Sequence, residues 1–255
     1  MEIIQTHKQR DNMKTVAALL LVLCYLAGSH AWNCREGPRL SSITQIDAGL
    51  GKVVAVNRFN QAFVLIGTRW YRLSSVSLKH ISVGPAGMWG ASNTNRVYKS
   101  VAGNMLQSSG IYYYYFHVNK CSLYCPTCSS SLIFWSSLGR AMRYYSCSPN
   151  NGCWGVDTSF RVYFTQRIVP SNCGNSGWLY VAGQSMTMIE VGTDGSVFGV
   201  NRSGQVFQRI GISIRLPQGS AWRSVPMCMS IRHVSYDLGR LWAVTTSGLL
   251  MQCTH

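Results

Sequence analysis

Apolar and polar positions along this chain recur in blocks that keep one register. Each block holds two apolar segments of strand length joined by a short polar link, as in the stretch from Val54 to Val64. Such pairs are typical of β-hairpins. The first segment of each pair is V-A-V-N from Val54, W-G-A-S from Trp89, W-G-V-D from Trp154, F-G-V-N from Phe198 and W-A-V-T from Trp242. Five copies of one phrase predict a repeated unit of antiparallel strands.

The links between paired segments have the composition of tight turns. Their first residues are Asn57, Ser92, Asp157, Asn201 and Thr245. Short polar side chains of these types bond to the main chain two residues further on, which favours a turn. Gly204 and Gly248 supply the positive φ that closes such a turn. We therefore expect a hairpin at each link.

Two more strands complete each unit. One precedes each hairpin, as in the stretches 78–84, 187–192 and 231–236, and the other contains or follows a tryptophan that opens the unit. The openers are Trp32, Trp70, Trp135, Trp178 and Trp222. Four short strands repeated at roughly forty residues are the pattern of a β-propeller blade. A two-sheet sandwich gives no reason for a phrase to repeat in fixed register. The expected fold is therefore all-β, a propeller of four-stranded antiparallel blades.

The spacing of the openers predicts six blades. Successive openers lie 38, 65, 43 and 44 residues apart, and the interval of 65 residues is long enough for two blades. A degenerate third blade is therefore expected near 104–134, beginning with the phrase G-N-M-L-Q. This stretch contains the strand-forming tract 111–116 but no clean turn phrase.

The N-terminus has the features of a secretory signal. A basic lead precedes an apolar run from Val16 to Leu26, and small residues end at Ala31. We expect residues 1–31 to be removed, with Met1 or Met13 as the start, and residues 32–255 to form one secreted, extracellular domain. No other segment is expected to span a membrane.

The cysteines indicate an oxidising compartment. Nine of the ten lie in residues 32–255. A propeller must fasten its first strand to its last blade, so we expect a disulfide between Cys34 and Cys253, with a gain of about 4 to 5 kcal/mol for so long a loop. Cys147 and Cys153 are candidates for a local clip, and the other pairings stay open.

The net charge points towards anionic partners. The whole chain carries a formal charge of +15, and residues 32–255 keep 20 basic and 6 acidic side chains. Such an excess favours lipopolysaccharide, sialylated glycans, membrane surfaces or nucleic acid, and it also keeps a secreted protein soluble.

The repeats resemble those of fish-egg lectins of the tectonin family. The resemblance rests on the five repeat phrases, on Q-I-D-A-G from Gln45, on M-I-E-V-G-T-D-G-S-V-F-G-V-N from Met188 and on Y-D-L-G-R-L-W from Tyr236. It implies a six-bladed propeller in egg or body fluid that binds N-acetylglucosamine-type glycans and bacterial polysaccharide or lipopolysaccharide in innate defence. Of the anionic partners that the net charge favours, we do not expect nucleic acid. The third unit departs from the family pattern.

Sugar recognition needs an aromatic face for the apolar side of a pyranose and polar groups for its hydroxyls. The candidates that combine these features at repeat positions are Asn57, Trp89, Ser92, Arg96, Trp154, Asp157, Asn201, Arg202, Trp242 and Thr245. The same residues also suit packing between blades and turn capping. Several weak sites around a ring would act together through multivalency.

Other functions remain as alternatives. A propeller scaffold for protein–protein interaction is the first, and a glycan hydrolase is the second. Only six carboxylates occur after residue 31, and several share repeat positions with Asn, Ser or Thr, which favours turn formation over catalysis. His80 and His233 occupy one repeat position, which favours a blade role over metal ligation. We expect no enzyme activity, no metal site and no required cofactor, while Ca²⁺ and a homodimer remain compatible with the sequence.

Overall fold

The computed structural model describes residues 32–84, 87–94, 96–101, 104–107, 140–148, 151–166, 168–169, 174–175 and 177–255. These residues form β-strands and no helix, so the all-β prediction is confirmed. They contain no helical segment able to cross a membrane. Twenty strands build five four-stranded antiparallel sheets, which we number blades I to V. A small separate antiparallel sheet pairs β13 (Ile168–Val169) with β14 (Gly174–Asn175).

The blades follow one another along the chain, and the strands of each blade are named in order from the innermost to the outermost. Blade I contains β2 (Ile43–Gly49), β3 (Lys52–Asn57), β4 (Gln61–Ile66) and β5 (Arg69–Ser77). Blade II contains β6 (His80–Gly84), β7 (Gly87–Ala91), β8 (Val97–Val101) and β9 (Asn104–Gln107). Blade III contains β10 (Met142–Ser148), β11 (Gly152–Asp157), β12 (Arg161–Thr165) and β15 (Leu179–Ser185). Blade IV contains β16 (Met188–Val191), β17 (Val197–Val200), β18 (Val206–Ile210) and β19 (Ala221–Val225). Blade V contains β20 (Ile231–Asp237), β21 (Arg240–Thr245), β22 (Leu250–Thr254) and β1 (Asn33–Glu36).

The described residues form five blades, so the expectation of six is corrected. The phrase that was expected to open a degenerate third blade instead supplies β9, which pairs with β8 as the outer strand of blade II. The rest of that expected unit, including the tract 111–116, lies outside the described residues. The predicted number of blades was wrong because the outer strand of blade II contains no tryptophan. The interval of 65 residues between two opening tryptophans could therefore be divided in more than one way.

The two ends of the chain close the propeller within blade V. Strand β1 pairs antiparallel with β22, with Cys34 opposite Cys253, and a disulfide joins these two cysteines. A second disulfide joins Cys147 to Cys153 across β10 and β11. Both are pairs that the sequence suggested. The N-terminal strand therefore completes the last blade, as expected.

The second strand of each blade is buried on both faces because the blades pack against one another. All six residues of β11 are buried, and so are the four of β17. A small residue recurs at the second position of the repeat phrase because a large side chain covers it. A Cβ built at Gly90 would lie 2.5 Å from Leu78 Cδ1, and one at Gly155 would lie 2.9 Å from Met142 Sδ. The alternation of Trp or Phe with Gly or Ala is thus a packing pattern.

Buried polar side chains connect the innermost strands of neighbouring blades. One position of the inner strand accepts a hydrogen bond from the main chain of the next blade. Among the described residues these bonds are Val83 N–H to Asp47 Oδ2 (2.6 Å), Val191 N–H to Ser146 Oγ (3.1 Å) and Ala48 N–H to Ser235 Oγ (2.8 Å). These bonds satisfy buried main-chain donors that no strand partner within the blade could reach.

Candidate functional site

The hairpin turns between the second and third strands of each blade surround one end of the propeller, and their first residues cap the turns. In each turn the side-chain oxygen of that residue accepts a bond from the main-chain N–H four residues on. The donors are Gln61, Arg96, Arg161, Gln205 and Leu249, and the acceptors are Asn57, Ser92, Asp157, Asn201 and Thr245, at 2.9 to 3.1 Å. Any short side chain with an oxygen can do this, which explains why four residue types share the position.

The sugar-binding candidates at the turns differ in how far their side chains are exposed to solvent. Asn57, Ser92, Asp157 and Thr245 are buried, whereas Asn201 is half-buried and Arg96 and Arg202 are exposed. The fourth position of the turn is left-handed, with φ of 76° at Gly204 and 88° at Gly248 as expected. Asn60 and Phe160 adopt the same conformation without being glycine, at φ of 58° and 63°.

The repeated tryptophans lie between the blades and present no face to solvent. Trp89, Trp154 and Trp242 are only 2, 1 and 4 % exposed. The Trp154 ring lies 5.1 Å from Phe164 and 6.0 Å from Trp222 between ring centroids. A sugar ring cannot stack on these side chains, so their assignment as a sugar-binding surface is corrected. The second strand has both faces covered by neighbouring blades, and an aromatic residue there packs into the core.

A pocket with an exposed aromatic ring lies between blades III and IV. It has a volume of about 540 Å³ and is lined by Tyr180, Gln184, Asn201, Arg202 and Ser203, together with Gly183 and Ser185. Tyr180 is 60 % exposed, and its ring centroid lies 5.7 Å from that of Tyr163. We call this the Tyr180 pocket. Asn201 and Arg202 were predicted from the sequence, whereas Tyr180 and Gln184 were not.

A bulge in the outer strand of blade III shapes the Tyr180 pocket. In the pairing of β12 with β15, Arg161 lies opposite Ser185 and the next residue, Val162, lies opposite Val181. Residues 182–184 are therefore extra on one strand, and Gly183 adopts φ of 107° there. Bulges of this kind redirect side chains beside binding sites. Nothing in the repeat phrase indicates this bulge, which explains why the sequence did not identify Gln184.

The polar groups of the Tyr180 pocket differ in how they are held. Asn201 Oδ1 accepts the main-chain N–H of Ser203 at 3.0 Å, and its Nδ2 donates to Gln205 Oε1 at 2.9 Å, so Asn201 shapes the turn. The guanidinium of Arg202 lies over the ring of Phe160, 4.8 Å from its centroid. The pocket therefore combines a tyrosine face with an amide, hydroxyl groups and a positioned guanidinium.

A second pocket lies on the propeller axis, where the innermost strands of all five blades converge. It has a volume of about 560 Å³. The buried side chains of His80, Tyr144 and His233 line it from below, and Lys79, Arg143, Arg202 and Arg232 line it nearer the surface. We call it the axial pocket. His80 and His233 do occupy equivalent blade positions, as the repeats indicated.

The groups below the axial pocket form a hydrogen-bonded chain. The hydroxyl of Tyr144 donates a short bond to Glu190 and lies 3.0 Å from Nε2 of His233. Burial, followed by the charge of Glu190, raises the pKa of Tyr144 well above its ordinary value. Burial, followed by the charges of His233 and Lys79, lowers the pKa of His80 to about 3. His80 is therefore neutral at physiological pH.

The six carboxylates all accept bonds from nearby groups of the fold. Asp157 is held by Arg161, whose Nε lies 2.8 Å from Oδ2, and Asp194 accepts the N–H of Ser196 at 2.9 Å. The other four are Glu36, Asp47, Glu190 and Asp237. Within the described ranges, no three His, Cys, Asp or Glu side chains gather as a metal site would require.

The fold and the two pockets define a class of protein, namely a repeat-built β-propeller with ligand-sized pockets between blades and on the axis. Comparison with known proteins identifies the family. Residues 42–246 match the model of the tectonin domain, and the chain belongs to the tectonin family. It is 37 % identical over 233 residues to the fish-egg lectin of Cyprinus carpio, covering 83 % of this chain and 95 % of that protein.

A solved structure also shares the fold. The PQQ-bound aldose sugar dehydrogenase of Streptomyces coelicolor superimposes with a TM-score of 0.53 at 10 % identity, covering 88 % of this chain and 98 % of that one. At this identity the likeness concerns the chain arrangement alone.

Proposed function

We propose that this protein is a secreted lectin that binds N-acetylglucosamine-type glycans, alone or within bacterial lipopolysaccharide, in egg or innate defence. Binding is noncovalent and needs no catalysis and no cofactor. The observation that carries the proposal is the Tyr180 pocket, which pairs an exposed aromatic ring with Gln184, Arg202 and Ser203. The tectonin repeats and the 37 % identity to a fish-egg lectin support it.

The chemistry of the Tyr180 pocket suits a pyranose with an N-acetyl group. The tyrosine ring covers the apolar C–H face of the sugar, and the guanidinium and amide groups bond to hydroxyl and carbonyl oxygens. A single pocket of this open shape binds weakly. Tight capture of a bacterial surface or egg glycan then comes from several sites, or several protein copies, acting together.

The test is a calorimetric titration of N-acetylglucosamine into the wild-type protein and into the Tyr180→Ala variant. Loss of the aromatic face should weaken binding about tenfold, which corresponds to about 1.4 kcal/mol. Tyr71→Ala is the matched control, because Tyr71 is 48 % exposed on the outer strand of blade I and does not line the pocket. It should bind as the wild type does.

Three outcomes would contradict the proposal. They are equal binding by wild type and Tyr180→Ala, equal loss in both variants, and no binding of any sugar on a glycan array by demonstrably folded protein. Capture of a partner protein that free sugar does not disturb would instead favour the interaction scaffold.

We further propose that residues 1–31 are a signal peptide and that residues 32–255 form the mature lectin domain. The disulfides at Cys34–Cys253 and Cys147–Cys153 support this, since such bonds persist in oxidising compartments. N-terminal sequencing of protein secreted by transfected cells should begin at Trp32. Retention of the first thirty-one residues would contradict this.

A further inference from the structure

We propose that the axial pocket is a separate binding site for a phosphate group, presented either as free phosphate or as a phosphorylated saccharide. The site goes beyond the proposed capture of neutral sugars, because the Tyr180 pocket and the axial pocket share only Asn201 and Arg202. It would let one molecule bind a charged group and an uncharged sugar in two adjoining pockets that have Arg202 in common.

The first argument is the charge of the axial pocket. Four blades each contribute one basic side chain: Lys79 from blade II, Arg143 from blade III, Arg202 from blade IV and Arg232 from blade V. No carboxylate occurs among the described residues that line the pocket. Convergence of four cations in one concave site concentrates positive potential there and attracts anions. The charges are otherwise spread over many blades, so this gathering is a property of the tertiary structure.

The second argument is that the guanidinium groups are held in place. Arg143 and Arg202 come from different blades, yet both lie over the ring of Phe160, at 5.1 and 4.8 Å from its centroid. Phe160 reaches this position from a left-handed backbone with φ of 63°, which is an unfavourable conformation for a bulky residue. Arg232 donates through Nη2 to the carbonyl of Thr246 at 3.1 Å. Side chains already positioned lose less entropy when an anion binds.

The third argument is the character of the pocket below these cations. Glu190 is the carboxylate that is hydrogen-bonded to the pocket residue Tyr144. Its carboxylate accepts a bond from the Tyr144 hydroxyl and a second bond from Ser146 Oγ at 2.7 Å. The Glu190 charge is thus satisfied inside the fold and does not face the pocket. His80 is neutral, and Tyr144 keeps its proton. An entering anion therefore meets hydrogen-bonding groups and cations without a facing negative charge.

The chemistry of the axial pocket favours a phosphate over a carboxylate. Arginine binds tetrahedral and planar oxyanions with paired N–H groups, and a phosphate offers more acceptor oxygens and more charge than a carboxylate. The volume of about 560 Å³ exceeds that of a bare phosphate and leaves space for an attached sugar ring. Inorganic phosphate and N-acetylglucosamine 1-phosphate therefore serve as the two probes.

The test compares the double variant Arg143→Gln, Arg232→Gln with the wild type by ³¹P NMR titration at constant ionic strength. Each lost charge-assisted contact should weaken binding about tenfold, so the double variant should lose about a hundredfold. Arg58→Gln, Lys99→Gln is the matched control. These two side chains lie over Phe59 and Trp89, carry the same charge and do not line the pocket. The control should bind within a factor of about two of the wild type, since no contact to the anion is removed.

The results separate this proposal from the lectin proposal. Tighter binding of N-acetylglucosamine 1-phosphate than of inorganic phosphate identifies a phosphorylated saccharide, and the reverse identifies free phosphate. Neutral N-acetylglucosamine should bind the double variant as it binds the wild type, whatever its affinity. Equal losses in both double variants, or the absence of saturable phosphate binding, would overturn the axial site while leaving the Tyr180 pocket untouched.

Discussion

The closing disulfide offers the sharpest test of how the propeller is held together. Strand β1 contributes only four residues to blade V. All four pair with β22, but three of them are exposed to solvent. The Cys34–Cys253 bond spans 219 residues, whereas Cys147–Cys153 spans 6. If the main effect of a cross-link is to restrict the unfolded chain, the Cys34–Cys253 disulfide should stabilise the folded protein by about 5 kcal/mol and the Cys147–Cys153 disulfide by about 2 kcal/mol.

The experiment replaces each pair with alanine and measures the free energy of unfolding in urea. Cys34→Ala, Cys253→Ala should lose about 3 kcal/mol more than Cys147→Ala, Cys153→Ala. For a domain of this size that difference lowers the melting temperature by roughly 6 to 12 °C. The second pair is a suitable control because its cysteines are fully buried, so removal of their sulfur atoms costs at least as much packing.

Equal losses in the two double variants would refute the reasoning. They would show that the pairing of β1 with β22 already restrains the ends, or that the unfolded chain is compact enough for loop length to lose its meaning. If removal of the disulfide only detaches β1, hydrogen exchange in β22 should become faster while the global stability changes little. The destabilisation would then be confined to blade V.

Three further predictions concern packing, charge and backbone. Trp154→Ala should lower the free energy of unfolding by about 3 to 5 kcal/mol in urea titrations, and a loss below about 1 kcal/mol would contradict its place between blades. Burial raises the pKa of Asp157, but the hydrogen bonds from Arg161 and Ser159 together outweigh it, so the net pKa is lowered. The stability advantage over Asp157→Asn should therefore be full above about pH 4 and shrink as the pH falls through the folded pKa. An advantage unchanged at about pH 2 would contradict this. Gly248→Ala should destabilise the protein more than Gly239→Ala in thermal melts: both glycines are left-handed, but only at Gly248 would a Cβ meet backbone, 2.9 Å away. Equal melting temperatures would contradict the contact.

Much of the architecture was readable from the residues because its causes are local. The repeat phrases, the turns capped by Asn57, Asp157 and Asn201, and the left-handed glycines Gly204 and Gly248 depend on contacts within about ten residues, and such contacts leave a regular pattern. The closing disulfide followed from the logic of a ring. These features were predicted and are present in the structure.

The binding surfaces depended on contacts between blades. A tryptophan in a repeat phrase has the same letter whether it faces solvent or a neighbouring blade, so Trp89 and Trp154 could be proposed as sugar platforms and still be buried. Tyr180 became the exposed aromatic only because a bulge in β15 and the turn of blade IV form one pocket.

The sequence by itself determined that this chain forms antiparallel strands in repeated units joined by capped turns, because strand periodicity and turn chemistry act over short distances. Only the tertiary structure decided that the described residues form five blades and which aromatic rings stay accessible. It also decided that one pocket, the axial pocket, is lined by Lys79, Arg143, Arg202 and Arg232. Those outcomes depend on residues far apart in the chain being brought to one axis, and no local pattern encodes that distance.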